Sequence, residues 1–460
     1  MLKKIYNSFM EALNGQENVF TTGSIRKAIF MLAVPAILEM ILESLFALVD
    51  VSFVSKIGTE AVAVVGITES VLTIIYSVAW GFSAAATAIV ARRIGEGNVQ
   101  AAAEAAGQVI MISLALALVF GVPGVLFSEQ ILSLMGANAS LIASKGLFTK
   151  LMFVSSPVII LLYTLSGVLR GLGNGSLAMR SLAVANIANM LLDPLFIFGL
   201  MFIPAFGVVG AAIATTTGRA LGVMYQLNSL SNGRAAIHLN WQHLKPDLSL
   251  IKRILILASG NIGQFLIGSA SWIFFVRILA TFGSDVVAGY TIAIRVIIFA
   301  IMPAWGLANA AATLVGQNLG AGQTLRAEQS AWKAAFYNLL FLSMITVLFM
   351  VFAPNIIGFF SSDPKVLAAG VSCLRIVSIG YPFCAYGMVI GQSLNGAGDT
   401  LSPTLINLLV FWIIGIPLAY FLSIHLQGMG VYVAIASSDF LLAFLSIWVF
   451  RQGKWKSIKV

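Results

Sequence analysis

Long apolar runs separated by short polar breaks dominate this chain. Twelve such runs lie near 26–55, 61–91, 101–127, 139–168, 173–200, 207–230, 249–281, 286–316, 326–352, 365–393, 400–424 and 429–450. Each reaches the roughly 20 residues a helix needs to cross a hydrocarbon core, and the longer ones must tilt or protrude. Period-two alternation over segments of about ten residues is absent, which excludes a transmembrane β-barrel. The pattern predicts an all-α polytopic membrane protein with twelve transmembrane helices. The least apolar interior stretch, 231–247, reads SNGRAAIHLNWQHLKPD and predicts a linker.

The second half of the chain repeats the first at an offset of 225 residues. AWGFSAAATAIVARRIGEGN from Ala79 returns as AWGLANAAATLVGQNLGAGQ from Ala304. The same shift lays Pro157 on Pro382 and Leu169-Arg-Gly-Leu-Gly-Asn on Leu394-Asn-Gly-Ala-Gly-Asp. Two copies of one unit in so apolar a chain predict two pseudo-symmetric six-helix lobes that rock about a central site. The expected organisation is an N-terminal segment 1–25, an N-lobe 26–230, a linker 231–248, a C-lobe 249–450 and a basic tail 451–460.

Composition changes this picture only by fixing its solvent. The chain is 59% hydrophobic and 9% charged, against roughly 25% charged in soluble domains. The formal net charge of +9 raises a nucleic-acid reading, which the placement of the charges disfavours. Apart from Lys56, Lys145, Lys150 and Lys365 on the outside and Arg277, Arg295 and Arg375 within spans, the lysines and arginines read as inside loops and tails. That bias places both termini in the cytoplasm, with the basic excess meeting anionic lipid headgroups. No cleavable leader is expected, because the first apolar run is too long and too acidic. Cys373 and Cys384 lie about 16 Å apart along one helix and cannot bridge each other.

Ionisable residues inside spans are costly and mark candidate sites. Glu39, Glu43 and Asp50 fall on one face of the first span, and Asn186, Asn189 and Asp193 share a face of the fifth. Glu69 adds a fourth acid. The first lobe reads as having no lysine or arginine at the depth of Asp50 and Asp193, so these two carboxylates are the candidate site for a proton or Na⁺, with help from Asn189. The 225-residue shift puts Gln264 opposite Glu39 and Leu418 opposite Asp193, so acidic chemistry is confined to the first lobe. Asp439 is the exception and has no account from sequence. Pro35 removes a backbone hydrogen bond within the first span and is a candidate bending point.

Other chemistries find little support. Gly95–Gly97 and Gly320–Gly322 permit turns but no lysine follows at phosphate-loop spacing, so ATP is not expected as the energy source. His238 and His243 read as solvated linker residues, with no structural metal and no cofactor expected. No nucleophile–base constellation indicates an enzyme.

Pro35-Ala-Ile-Leu, Leu48-Val-Asp-Val-Ser-Phe-Val-Ser-Lys-Ile-Gly58, Arg170-Gly-Leu-Gly-Asn174, Asn189-Met-Leu-Leu-Asp-Pro194 and Gly210-Ala-Ala-Ile-Ala-Thr215, in that order, resemble the multidrug and toxic compound extrusion (MATE) family over essentially the whole chain. The resemblance implies two lobes forming a V around a large cavity, and export of organic, often cationic, compounds in exchange for H⁺ or Na⁺. It is closer to the DinF-like branch, where Asp50, Asn189 and Asp193 match the first-lobe coupling site, Thr215 a threonine beside it, and Pro35 a proline associated with bending. Another branch uses a glutamate in the seventh span, where this chain has Gln264. The expectation is a monomeric antiporter of small organic substrates in the bacterial plasma membrane. The alternative is a lipid-linked oligosaccharide flippase, which calls for a basic cavity; a major-facilitator carrier lacks its motif in Arg92-Arg-Ile-Gly-Glu-Gly-Asn98.

Overall fold

A computed structural model describes residues 2–15, 19–199 and 203–458, and among them the chain is almost wholly helical. A short amphipathic helix α1 (Leu2–Asn14) precedes α2 (Ile25–Ser55), α3 (Thr59–Gly95), α4 (Val99–Leu126) and a brief α5 (Ser128–Leu134). Next come α6 (Ala139–Val154), α7 (Ser156–Gly171), α8 (Gly175–Phe198) and α9 (Val208–Ser231). The second half holds α10 (Leu248–Ala280), α11 (Ser284–Gly320), α12 (Thr324–Gly358), α13 (Pro364–Ser378) and α14 (Tyr381–Ala397). It ends with α15 (Leu401–Asn407), a π-helical segment Leu408–Gly415, α16 (Ile416–Leu426) and α17 (Gly428–Arg451).

Nine of these helical rods among the described residues are long and apolar enough to span a membrane, with α15, the π segment and α16 forming one of them. Two further spans are bent pairs, α6 with α7 at 40° and α13 with α14 at 55°. Both breaks precede a proline, Pro157 and Pro382, which cannot donate to the preceding turn. The remaining helix, α9, has 24 residues. Its Thr-Thr-Thr-Gly-Arg centre lowers its hydropathy, yet it packs along α8 through the small residues of Gly210-Ala-Ala-Ile-Ala, as close helix approach in lipid requires. The twelve expected spans are thus accounted for, each within a few residues of its sequence boundary.

Packing crosses the two halves in a reciprocal way. α2 lies against α11, and α3 against α10. The first turns of α2 (Ile25, Ala28, Ile29, Leu32) join a core made otherwise of α1, residue 20 and C-half residues. The first turns of α10 (Ile254, Leu257, Ala258) join an N-half core. On the face that carries both chain ends the halves meet closely. A Cβ on Gly95 would lie 2.0 Å from the Gln317 carbonyl, and one on Gly320 2.2 Å from that of Arg92, so only glycine fits this seam. The N-terminal segment and tail brace the same face. The Phe20 amide donates to Gln317 Oε1 at 3.0 Å, Arg326 donates to the carbonyls of Phe20, Thr22 and Gly23, and Lys456 pairs with Glu328 at 2.6 Å.

The linker is less free than its composition predicts. Gln108 on α4 donates to the carbonyls of His243 and Lys245. His243 is buried rather than solvated, its Nδ1 accepting from the Asn240 amide at 3.1 Å. His238 is exposed, as expected.

Candidate functional site

The close packing of α8 on α9 brings the fifth and sixth spans' polar groups together. Asn189 Nδ2 donates both to Asp193 Oδ1 and to Thr215 Oγ1, each at 3.2 Å. Asn189 and Asp193 are one helical turn apart on α8, which aligns their side chains. Asp50 on α2 is close enough for its charge to act on Asp193. Three acceptor oxygens here, Asp50 Oδ1, Asn189 Oδ1 and Asp193 Oδ2, are buried without a hydrogen-bond partner in the protein. Leaving a buried acceptor unpaired costs about 1–3 kcal/mol. Two carboxylates with unpaired acceptors are the donor set that a small cation or a proton would satisfy. Asn186 is near but not part of this cluster: it donates to the Leu42 carbonyl at 2.7 Å and ties α8 to α2.

The other acids divide into different roles. Glu39 is buried and paired with Arg170, whose Nη1 donates to it at 2.6 Å while Nη2 donates to Ser83 Oγ at 2.8 Å. Glu39 therefore braces α2 against α7 and α3 near the closed seam. Glu43 accepts a short hydrogen bond from the Tyr163 hydroxyl. Glu43 and Glu69 both interact electrostatically with Arg219.

Arg219 corrects the sequence reading of an N-lobe without a cation at depth. It stands near the middle of α9 and is 6% exposed. Its Nη1 donates to the Tyr76 hydroxyl at 3.1 Å, and its guanidinium lies over the rings of Phe46 (5.1 Å) and Tyr76 (5.5 Å). Its field reaches Asp50 as well. The expected span 207–230 already contains Arg219, which the sequence reading nonetheless counts with the inside charges; α9 (Val208–Ser231) holds it in mid-helix. Pro35 is buried inside an unbroken α2, packed against the start of α8 at Gly175.

The second half differs as its sequence predicts. Gln264 exchanges hydrogen bonds with Asn395 (3.0 and 3.1 Å) and donates to the Thr400 carbonyl at 3.2 Å, a neutral cluster. Arg375 donates to the Met350 carbonyl at 3.1 Å, while Arg277 and Arg295 are exposed. Asp439 lies against Gly380 at the bend between α13 and α14, beside Cys384. Among the described residues no cluster of three histidine, cysteine or acidic side chains is placed to hold a metal.

Among the described residues, nine spanning rods, two bent pairs and α9 packed along α8, with crossed packing between two halves and an acidic cluster, define a polytopic membrane protein of transporter type. The MatE family model matches residues 35–195 and again 261–421, once in each half, and the chain belongs to that family. It is 26% identical over 437 residues to "Probable multidrug resistance protein NorM" of Thermotoga maritima, covering 94% of this chain and 93% of that one. It is 27% identical over 426 residues to a protein of Shewanella oneidensis named "FAD transporter", covering 88% and 90%. The solved structure "Crystal structure of MATE in the straight conformation" superposes with a TM-score of 0.88 at 24% identity, over 95% of this chain and 98% of that one. The expected fold class is therefore the observed one.

Proposed function

We propose that the chain is a secondary active efflux antiporter that exports organic, often cationic, compounds in exchange for H⁺ or Na⁺. The observation that carries this reading is the N-half cluster in which Asn189 links Asp193 to Thr215 while acceptors of Asp50, Asn189 and Asp193 stay unpaired. Such a cluster gains most when a cation or proton arrives, because burial of an unpartnered carboxylate is otherwise costly. The names of relatives, among them the NorM protein of Thermotoga maritima, support drug-like cargo.

Coupling follows from differential affinity. An ion that binds the Asp50–Asp193 cluster only in one arrangement of α2 biases the two-lobed body toward that arrangement. Pro35, within α2 and seated on the start of α8, is where that helix lacks a backbone hydrogen bond and bends most easily. The closed seam at Gly95 and Gly320 is the other element that must part as access alternates. In this reading both termini are cytoplasmic, the membrane is the bacterial plasma membrane, the transporter works as a monomer, and substrate is released on the side away from the seam.

Ethidium efflux from reconstituted vesicles, with H⁺ and Na⁺ gradients imposed separately, tests it. Wild-type protein moves ethidium under one gradient and Asp50→Asn does not. Wild type that moves ethidium under neither gradient overturns the proposal.

A further inference from the structure

The first helix carries an apolar stripe that the protein leaves uncovered. Tyr6, Phe9 and Met10 of α1 stand at i, i+3 and i+4 on one helical face and are 63%, 37% and 38% exposed. The helix itself is firmly placed. Ala12 is buried in the core shared by the first turns of α2 and the C-half residues. Glu11 pairs with Lys27 of α2 at 2.8 Å. Arg180 of α8 donates to the Leu13 carbonyl at 2.7 Å and to Asn14 Oδ1 at 3.2 Å. A Cβ on Gly15 would lie 2.1 Å from Ser176 Oγ, so the turn after α1 rests directly on the start of α8. These contacts hold α1 on the face that carries both chain ends and leave its stripe open.

Length, charge and area together say what covers the stripe. At 13 residues and 1.5 Å per residue, α1 is about 20 Å long, too short to cross a hydrocarbon core of about 30 Å. It packs against α2, the first spanning helix, through the Lys27 end of that helix. A short amphipathic helix at that level lies in the membrane interface, its apolar side at the acyl boundary. The charges match such a surface when it is anionic. Residues 1–30 hold Lys3, Lys4, Arg26 and Lys27 against Glu11 and Glu17, and Arg26 is exposed next to the Lys27–Glu11 pair. A stable protein partner needs about 800 Å² on each side, more than three side chains on so short a helix present; a leaflet sets no such threshold.

We propose that α1 is an interfacial helix whose Tyr6–Phe9–Met10 stripe docks on an anionic phospholipid leaflet. Phe9 and Met10 enter the acyl boundary, the Tyr6 ring follows with its hydroxyl at headgroup level, and Arg26 meets lipid phosphate. The docking stands apart from the transport reading, since it asks nothing of the acidic cluster.

Site-directed fluorescence tests it. Full-length protein with Cys373 and Cys384 replaced by alanine carries a bimane label on Tyr6→Cys, or on Asn7→Cys, an exposed position about 100° further round the helix. It is reconstituted into nanodiscs of phosphatidylcholine with or without phosphatidylglycerol. Quenching by a nitroxide lipid is compared with quenching by aqueous acrylamide, and unfolding temperatures are recorded in parallel. With phosphatidylglycerol present, the label at position 6 is quenched by the lipid and shielded from acrylamide, and the label at position 7 shows the reverse. One basic side chain at an anionic surface shifts such an equilibrium by about fivefold. Arg26→Gln therefore lowers the seated-to-free ratio at position 6 by that factor in phosphatidylglycerol discs and leaves it unchanged in phosphatidylcholine. Equal lipid quenching at positions 6 and 7, in protein that still folds, overturns the proposal. Quenching indifferent to both phosphatidylglycerol and Arg26 overturns it by removing the anionic partner. A label at position 6 shielded from both quenchers overturns it by making a protein surface the occupant.

Discussion

Replacing Gly95 by alanine puts one methyl group into the seam that closes the terminal face. Its Cβ falls 2.0 Å from the Gln317 carbonyl oxygen and 2.9 Å from that residue's Cα. The obstacle is backbone on a helix, so no side-chain rotation relieves it, and α3 and α11 must part by more than an ångström. Overpacking of this kind costs about 1–3 kcal/mol. Because the strain exists only while the seam is closed, that cost shifts the closed–open equilibrium by about 5- to 150-fold. A cysteine at position 313 reports on it, since Thr313 is 1% exposed in the seam, its hydroxyl donating to the Arg170 carbonyl at 3.3 Å. With the buried Cys373 and Cys384 replaced by alanine, a membrane-impermeant maleimide applied from the terminal face labels Thr313→Cys in proportion to the open population. Labelling accelerates by that factor in the Gly95→Ala background. Equal rates, at equal unfolding temperature, would show that the seam does not gate access.

Three further outcomes follow from the same geometry. Glu39→Gln leaves Arg170 buried without its counter-charge and destabilises the protein by about 3–5 kcal/mol; a thermal shift no larger than that of an exposed Glu60→Gln control contradicts the pairing. Gln264→Glu removes the donor to Asn395 Oδ1 and the Thr400 carbonyl, at about 1–3 kcal/mol in the same assay, and confers no second coupling site. Thr215→Val keeps volume but removes an acceptor from Asn189, so the driving ion's half-saturating concentration rises several-fold in vesicle efflux while the unfolding temperature barely moves.

Much of the architecture was legible because it rests on length and hydropathy. The twelve runs, the repeat and the acidic bias of the first half each correspond to a named helix or cluster. Asn189, Asp193 and Thr215 are joined by hydrogen bonds, Asp50 lies within electrostatic reach of Asp193, and Glu39 is salt-bridged to Arg170. What stayed hidden depends on depth and partners. Arg219 lies mid-way along the expected span 207–230 and is still grouped with the inside charges, because the placement of charges follows their number per side and not their depth in a helix. Nothing local tells that Glu43 meets Tyr163, 120 residues away. The two bends were within reach, since Pro157 and Pro382 occupy matching positions in the repeat and proline ends the helix before it. The π segment Leu408–Gly415 has no such mark: its residues are uniformly apolar, and its geometry follows from packing against α10 and α17.

Coupled exchange requires that cargo flux drive ion flux through the N-half cluster. It is tested most directly by running the exchange backwards: vesicles holding reconstituted protein are given an ethidium gradient and no ion gradient, and intravesicular pH and Na⁺ are recorded with trapped indicators. Wild type drives one of the two ions across the membrane against the ethidium flux, and Asp193→Asn, folded to the same unfolding temperature, drives neither. Ethidium movement without ion movement in wild type, or undiminished exchange in Asp193→Asn, contradicts the account.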